Sequence, residues 1–409
     1  MSGEAPPPPA PEAPRVVRRR ADRGRIYLAL AVVAVAAIVV GVGAGTSWFG
    51  LRAGGTSSSC PTGVTLQGAG ASFPAAIVSQ WTTGYHASDA NTVNYQNVGA
   101  GQGITDLTEK SVDFAITDEG LNATESSSLH AQVGTVLTLA VTGAAVVVIF
   151  HPPTGYAGPL NLTGQELAAI YLGSITTWSD SQLVANNPGL ASYSSGITAV
   201  HRADGAGMTY VLTTYLTQQN ATWRTNPSLG TTIDPTWPNF AGSAGASGNS
   251  AVITTVKSTT GSIGYTDLYD AEVKSVAMAS VVNSHGTAVL PSWADTASAI
   301  ADVYAVIGAS LPSPTGDWST VSWVNASGPG DYPLAALAYM LVPQNPGHGH
   351  TASTTDATAL RQWIAWVVTH GQTYNTTQFP FVSPPASLLT GDLSALSGMN
   401  YNGAALPAC

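Results

Sequence analysis

Beyond residue 60 the apolar positions alternate between two spacings. Short runs at 64–67, 93–98, 112–116, 146–150, 198–201 and 262–265 are too short for ordinary helices and predict strands. Val146-Val147-Val148-Ile149-Phe150 is apolar without a break, the pattern of a strand covered on both faces of a parallel sheet. Between the runs the spacing becomes helical: Ile77, Trp81 and Tyr85; then Met208, Val211, Leu212, Tyr215 and Leu216; then Leu360, Trp363, Ile364 and Val367. A short helix is predicted at 104–110, and one at 356–370 with Gly371 as its stop. Thr163-Gly164-Gln165-Glu166 reads as a capping box, with Leu162 and Leu167 as its hydrophobic staple. This strand and helix alternation predicts an α/β architecture.

The first sixty residues follow different rules. Residues 26–44 hold no charge, and nineteen residues at 1.5 Å each span about one hydrocarbon core. We expect one N-terminal transmembrane helix over 26–46. The Pro/Arg-rich stretch 1–25, with Arg15, Arg18, Arg19, Arg20, Arg23 and Arg25, is expected to stay in the cytoplasm. The chain beyond a linker at 47–60 is then extracytoplasmic. A cleaved signal peptide is the alternative, against which the apolar stretch outruns the usual h-region of roughly 7–15 residues.

Composition sharpens the outer part. With 9% charged and 44% hydrophobic residues it is no disordered chain. Seven Lys and Arg remain beyond Leu51 against twenty Asp and Glu, a balance that argues against nucleic acid as partner. A buried arginine there would be conspicuous. The two cysteines, Cys60 and Cys409, stand at the ends of the outer domain, where a disulfide would join its termini; lipidation of Cys60 is the rival reading. Sequons begin at Asn122, Asn161, Asn220, Asn325 and Asn375, as in a glycosylated surface protein.

Candidate chemistry sits in three glycine-bearing loops that each follow a predicted strand. They are Gly68-Ala69-Gly70-Ala71-Ser72-Phe73-Pro74, Gly99-Ala100-Gly101-Gln102-Gly103 and Arg202-Ala203-Asp204-Gly205-Ala206-Gly207. A glycine turn entering a helix aims backbone N–H groups outward at the positive end of the helix dipole, a ready anion site. Three such loops can converge on one oxyanion. His348-Gly349-His350 has no further ligand at a useful spacing, so no metal is expected. No Gly-x-Ser-x-Gly elbow or His-Glu-x-x-His helix occurs, and Ser72 has no evident base, so an enzyme is not expected.

Taken in order, GAGASFP (68–74), VDFAITD (112–118), LAAIYLGSITTWSD (167–180), NNPGL (186–190), HRADGAG (201–207), SIGY (262–265) and DYPLAALAY (331–339) resemble the substrate-binding proteins of high-affinity phosphate ABC transporters. The resemblance covers most of the chain from 68 to about 385. It implies a two-lobed class II clamshell of the periplasmic-binding-protein type, with lobe I at 61–140 and 336–409 and lobe II at 141–335. It implies that inorganic phosphate is the ligand, that an ABC permease is the partner and that no cofactor is needed. By the same resemblance Ser72 gives its hydroxyl and Phe73 its N–H. Asp118 accepts a hydrogen bond from the protonated phosphate oxygen, which sulfate lacks. Arg202 grips two oxygens with its fork, Asp204 steadies it, and Gly207 offers its N–H.

Three positions depart from the family. Ala100, Ala206 and Met208 replace hydroxyl donors, so only their backbone N–H groups are expected at the ligand, and Met208 fits the apolar stripe of its helix. Gln102, Thr105, Thr117 and Thr209 are the candidate replacements. The expectation is phosphate binding with reduced affinity or loosened selectivity. The rival is a surface or adhesion protein that kept the scaffold while its pocket decayed.

Overall fold

The computed structural model describes residues 60–121 and 123–409. The predicted membrane helix, the cytoplasmic tail and Asn122 lie outside the described residues. Among the described residues no helix is long and apolar enough to cross a membrane.

The six predicted strands form, five with ends shifted by up to three residues and the one at 146–150 as the second half of a strand that begins ten residues earlier, and two strands that the pattern did not announce, at 243–246 and 335–343, join them. They are β1 (Thr65–Gly70), β2 (Thr92–Asn97), β3 (Phe114–Thr117), β4 (Val136–His151), β5 (Thr198–Arg202), β6 (Ser243–Ala246), β7 (Ser262–Asp267) and β8 (Ala335–Pro343). They hydrogen-bond in the order β2-β1-β3-β8-β4-β7-β5-β6, with Ala277–Met278 added against β4. The two wings are parallel. β2, β1 and β3 run together on one side, and β7, β5 and β6 on the other.

β4 joins the wings. Residues 136–145 pair antiparallel with β8, then 146–151 pair antiparallel with β7, so one sixteen-residue strand serves both halves of a two-lobed periplasmic-binding-protein fold. Its burial matches the apolar run, but its neighbours are antiparallel, not parallel as that run suggested. Helices packed against β4 supply the cover that makes such a run stable.

Helix α1 (Ala75–Asp89) turns Ile77, Val78, Trp81 and Tyr85 inward. α2 (Ala100–Thr108) starts four residues earlier than expected, because the second glycine loop is itself its first turn. α3 (Gly164–Tyr171) opens on the full capping box: Thr163 accepts from Glu166 N, and Glu166 accepts from Thr163 N at 2.6 Å. α4 (Gly207–Gln219) follows β5, α5 (Asn249–Ser258) follows β6 and α6 (Leu268–Val273) follows β7. α7 (Thr354–Val368) buries Leu360, Trp363, Ile364 and Val367 as its spacing predicts. Gly371 does not stop it; it lies inside a separate 3-10 turn, His370–Tyr374, where the Gly371 carbonyl accepts from Trp81 Nε1 at 2.8 Å.

Two sequon amides serve the fold. Asn220 accepts from Trp223 N as a helix cap, and Asn375 Nδ2 donates to Gln372 and Ser383.

Candidate anion-binding cleft

Two sets of three parallel strands, running toward each other along β4, deliver their carboxyl ends to one place. Asn97, Gly70 and Ile116 are in register across β2, β1 and β3, and Arg202 is level with Ala246 across β5 and β6. The residues that follow these ends are Ser72, Gly99, Asp118, Asp204, Ser247 and, after β7, Leu268. Ligands of open α/β sheets sit beyond strand carboxyl ends for this reason. The cleft there has a volume of about 430 Å³ and is lined by Ser72, Phe73, Asn97, Gly99, Arg202, Asp204, Ser247, Gly248, Asn249, Asp267 and Asp270, among others.

The first two glycine loops are tied through Gly70, whose carbonyl accepts from Val98 N at 3.2 Å and Gly99 N at 2.9 Å. The second meets the third at Gly99. Its φ is +91°, and a Cβ there would stand 2.9 Å from the Gly205 carbonyl oxygen, so only glycine suits the position.

Arg202 is the conspicuous buried cation, with 1% of its surface exposed. Its Nε donates to Asp204 Oδ1 at 2.7 Å, its Nη2 donates to Asp204 Oδ2, and its Nη1 donates to Asn249 Oδ1 at 2.8 Å. Three of the five guanidinium N–H donors are thus used inside the protein, which leaves two, the number a bidentate grip on an oxyanion needs. Burial alone would raise the Asp204 carboxyl, but the hydrogen bonds and charge of Arg202 hold it below the usual range. Gly248 N adds a bond to Asp204 Oδ1 at 3.0 Å.

Gly248 and Asn249 belong to a fourth glycine loop, Ala246-Ser247-Gly248-Asn249, which the sequence reading missed. It has the same strand, glycine and helix order as the other three. β6 hides it, because Ser-Ala-Gly-Ala has no β-branched or aromatic residue to announce a strand.

Asp118 lies apart from this cleft lining. It is 5% exposed and borders a cavity of about 10 Å³ together with Glu119, Tyr210, Thr214, Ser322 and Tyr339. It abuts the start of α4: a Cβ on Gly207 would lie 2.3 Å from the Asp118 Cβ and 2.4 Å from its Oδ2. Its Oδ1 has no hydrogen-bond partner. Burial pushes its carboxyl up to about 8, and the Arg202 charge only partly offsets this. The third-loop glycine therefore abuts the Asp118 side chain, and the Arg202 charge acts on it without a hydrogen bond between them.

The remaining sequence-predicted positions divide. Ala100 is fully buried as the first residue of α2, and Met208 is 1% exposed within the main hydrophobic core, as its helix stripe implied. Gly207, Met208 and Thr209 open α4, whose first-turn N–H groups have no intrahelical partner. Ala206 differs from expectation: its N–H donates to the Ile233 carbonyl at 3.1 Å and does not face a ligand. The candidate replacement side chains also turn elsewhere. Gln102 donates to Asp106, Thr105 to the Gly101 carbonyl, Thr117 accepts from Glu119 N, and Thr209 pairs with Tyr265 Oη at 2.6 Å.

Cys60 and Cys409 are both exposed and unbonded, yet neighbours: partial burial and the Cys60 thiol push the Cys409 thiol up to about 11. Among the described residues no group of three or more His, Cys, Asp or Glu is placed to hold a metal ion.

Residues 55–370 match the family described as a PBP superfamily domain. The chain is 32% identical to the phosphate-binding protein PstS of Xylella fastidiosa strain Temecula1 over 314 residues, 76% of this chain and 79% of that protein. It is 30% identical to PstS of Pasteurella multocida over 325 residues, 80% of this chain and 88% of that protein. The solved phosphate-binding protein of Stenotrophomonas maltophilia shares the fold with a TM-score of 0.61 at 18% identity, over 81% of this chain and 93% of that one. With this much of the chain aligned at such identity, and with the loops at the strand ends where the fold puts its ligand, the chain belongs to the PBP superfamily and, within it, to the PstS phosphate-binding proteins.

Proposed function

We propose that this chain is an extracytoplasmic phosphate-binding protein, not an enzyme, that encloses inorganic phosphate between its lobes and hands it to an ABC permease. The observation that carries the reading is Arg202, buried in an acidic domain with two N–H donors left over at the meeting of six strand ends. Ser72, the Phe73 N–H and the first-turn N–H groups of α4 at Gly207 and Met208 complete a cage from both wings. Asp118 is the acceptor for the phosphate proton. A ligand that touches both wings favours the closed arrangement.

The lobes are taken to divide near 140/141 and 335/336; the exchange of partners along β4, at Ala145 and Val146, lies five residues beyond the first of these and favours a hinge there. Reduced affinity follows from Ala100, Ala206 and Met208, since the nearby side chains that would compensate are engaged elsewhere. Residues 26–46 act as a single-pass anchor with the binding domain outside, and Cys60 and Cys409 close the domain as a disulfide in that oxidising compartment.

Calorimetric titration of residues 60–409 with phosphate, sulfate and arsenate tests the assignment. Phosphate binding that vanishes in Arg202→Ala supports it. No heat and no phosphate-dependent thermal shift at millimolar phosphate rejects it in favour of a decayed scaffold.

A further inference from the structure

The fourth glycine loop holds the binding arginine from two directions. Gly248 N–H fixes Asp204, which holds one edge of the guanidinium, and the next residue, Asn249, holds the Nη1 end directly. Asn249 is 5% exposed, so its amide has few alternatives. Its Nδ2 donates to Asp267 Oδ2 at 2.8 Å and to Asp270 Oδ2 at 3.2 Å. Both amide protons are therefore spent on aspartate oxygens while the amide oxygen faces a cation. Turning the amide over would set its NH₂ against the guanidinium, donor against donor, so the observed orientation is the stable one.

The anchor of this arrangement is itself fixed. Asp267 caps α6, accepting from Asp270 N at 2.8 Å through its other oxygen, and it is 2% exposed. Burial and the adjacent Asp270 carboxylate push its carboxyl well above the usual range. A chain of polar contacts thus runs from a helix cap through Asn249 to Arg202.

We propose that Asn249 is a positioning residue for the anion: by holding Arg202 Nη1 it sets the guanidinium so that its two remaining N–H groups face the ligand. This rests on the phosphate-binding reading. The physical gain is pre-organisation. Asp204 alone holds one edge, and the guanidinium then still swings about that contact; with Asn249 at the opposite end, its plane is set before phosphate arrives.

The test pairs two measurements on the full-length protein. In the ligand-free protein, ¹⁵N NMR of the Arg202 side chain reads guanidinium rotation, and calorimetry with inorganic phosphate reads affinity. In the parent the Nη protons are resolved and exchange slowly. Asn249→Ala collapses them and lowers phosphate affinity about ten- to a hundredfold, the worth of one hydrogen bond to a charged group. Asp267→Asn keeps the helix cap and touches nothing on Arg202, but it frees the Asn249 amide to turn; it gives partial broadening and a smaller, several-fold loss. If Asn249→Ala folds poorly, Asp267→Asn alone decides.

Affinity within twofold of the parent in both variants overturns the proposal, as do Nη signals that stay unchanged in Asn249→Ala. Absence of phosphate binding in the parent sinks the functional reading instead, while the ligand-free spectra still decide whether Asn249 positions the arginine.

Discussion

Arg202 and Asp118 are both almost fully buried, and the protein treats them in opposite ways. The arginine receives Asp204 and Asn249 and keeps two donors for a guest. The aspartate receives no partner at Oδ1, and burial answers by raising its carboxyl to about 8. A buried charge survives where the fold supplies its partners; where it does not, a proton neutralises the group. On the proposed reading the ligand therefore meets a permanent cationic end at Arg202 and, from outside the cleft lining, an acidic end at Asp118 whose state depends on pH.

Breaking the cationic end has the largest effect. Arg202→Ala removes two charge-assisted hydrogen bonds, about 3–6 kcal/mol, so phosphate affinity falls by about two to four orders of magnitude. Arg202→Lys recovers little, because a single ammonium cannot keep Asp204 and Asn249 satisfied and still present a planar fork. Calorimetry on the two variants checks this, and a lysine variant that binds like the parent would show that charge alone, without the fork, suffices.

The acidic end governs choice more than strength. In the ligand-free fold Asp118 keeps a proton that the unfolded chain has already released above its ordinary value of 3.8. Its stabilising contribution is full below that value and is lost as pH rises toward and through about 8. Asp118→Asn removes this loss: the ligand-free melting temperature rises at pH 8 and barely moves at pH 4. The same sign applies to selectivity. Below about 8 the neutral acid can donate to sulfate, and above it the carboxylate repels an anion that brings no proton. Direct sulfate titration should show tighter binding at pH 6 than at pH 9 in the parent, and Asp118→Asn should flatten that dependence. An equal pH slope in parent and variant would place discrimination elsewhere.

A smaller effect tests how closely the two ends are packed. Gly207 leaves no room for a methyl beside Asp118, so Gly207→Ala must displace the aspartate or the start of α4. The overpacking costs about 1–3 kcal/mol of stability, read by urea denaturation. An unchanged midpoint would mean that Asp118 moves aside freely.

The cationic end was largely legible in the sequence. Arg202, Asp204 and Ser72 stand in glycine loops after predicted strands, and an arginine is conspicuous in an acidic domain that has three beyond residue 60. Asn249 and Asp267 were not legible, because β6 lacks a strand signature and the Asp267 carboxylate acts through a residue eighteen positions away. β4 was seen only in its second half. Thr138, Thr142 and Gly143 interrupt the apolar run of its first half, although tertiary pairing with β8 buries that half too. The Ala206 N–H was misjudged because its acceptor, Ile233, sits in irregular chain far along the sequence, where periodicity carries no information.

Ala206 also gives the mildest test of what the cleft has lost. It is the N-cap of α4 and makes no side-chain cap bond, while its own N–H is spent on Ile233. A hydroxyl there has two separate uses. As a cap it accepts from a first-turn N–H and adds about 1 kcal/mol of stability. As a ligand donor it restores one contact to phosphate. The two uses compete for one oxygen, and the position is only 2% exposed, so the local backbone decides between them. Since the Ala206 backbone already turns its N–H toward Ile233, Ala206→Ser is expected to raise the ligand-free melting temperature by about 1–2 °C while changing phosphate affinity less than threefold. A large gain in affinity without added stability would show instead that this hydroxyl faces the anion, and that its loss is what weakened the acidic end of the cage.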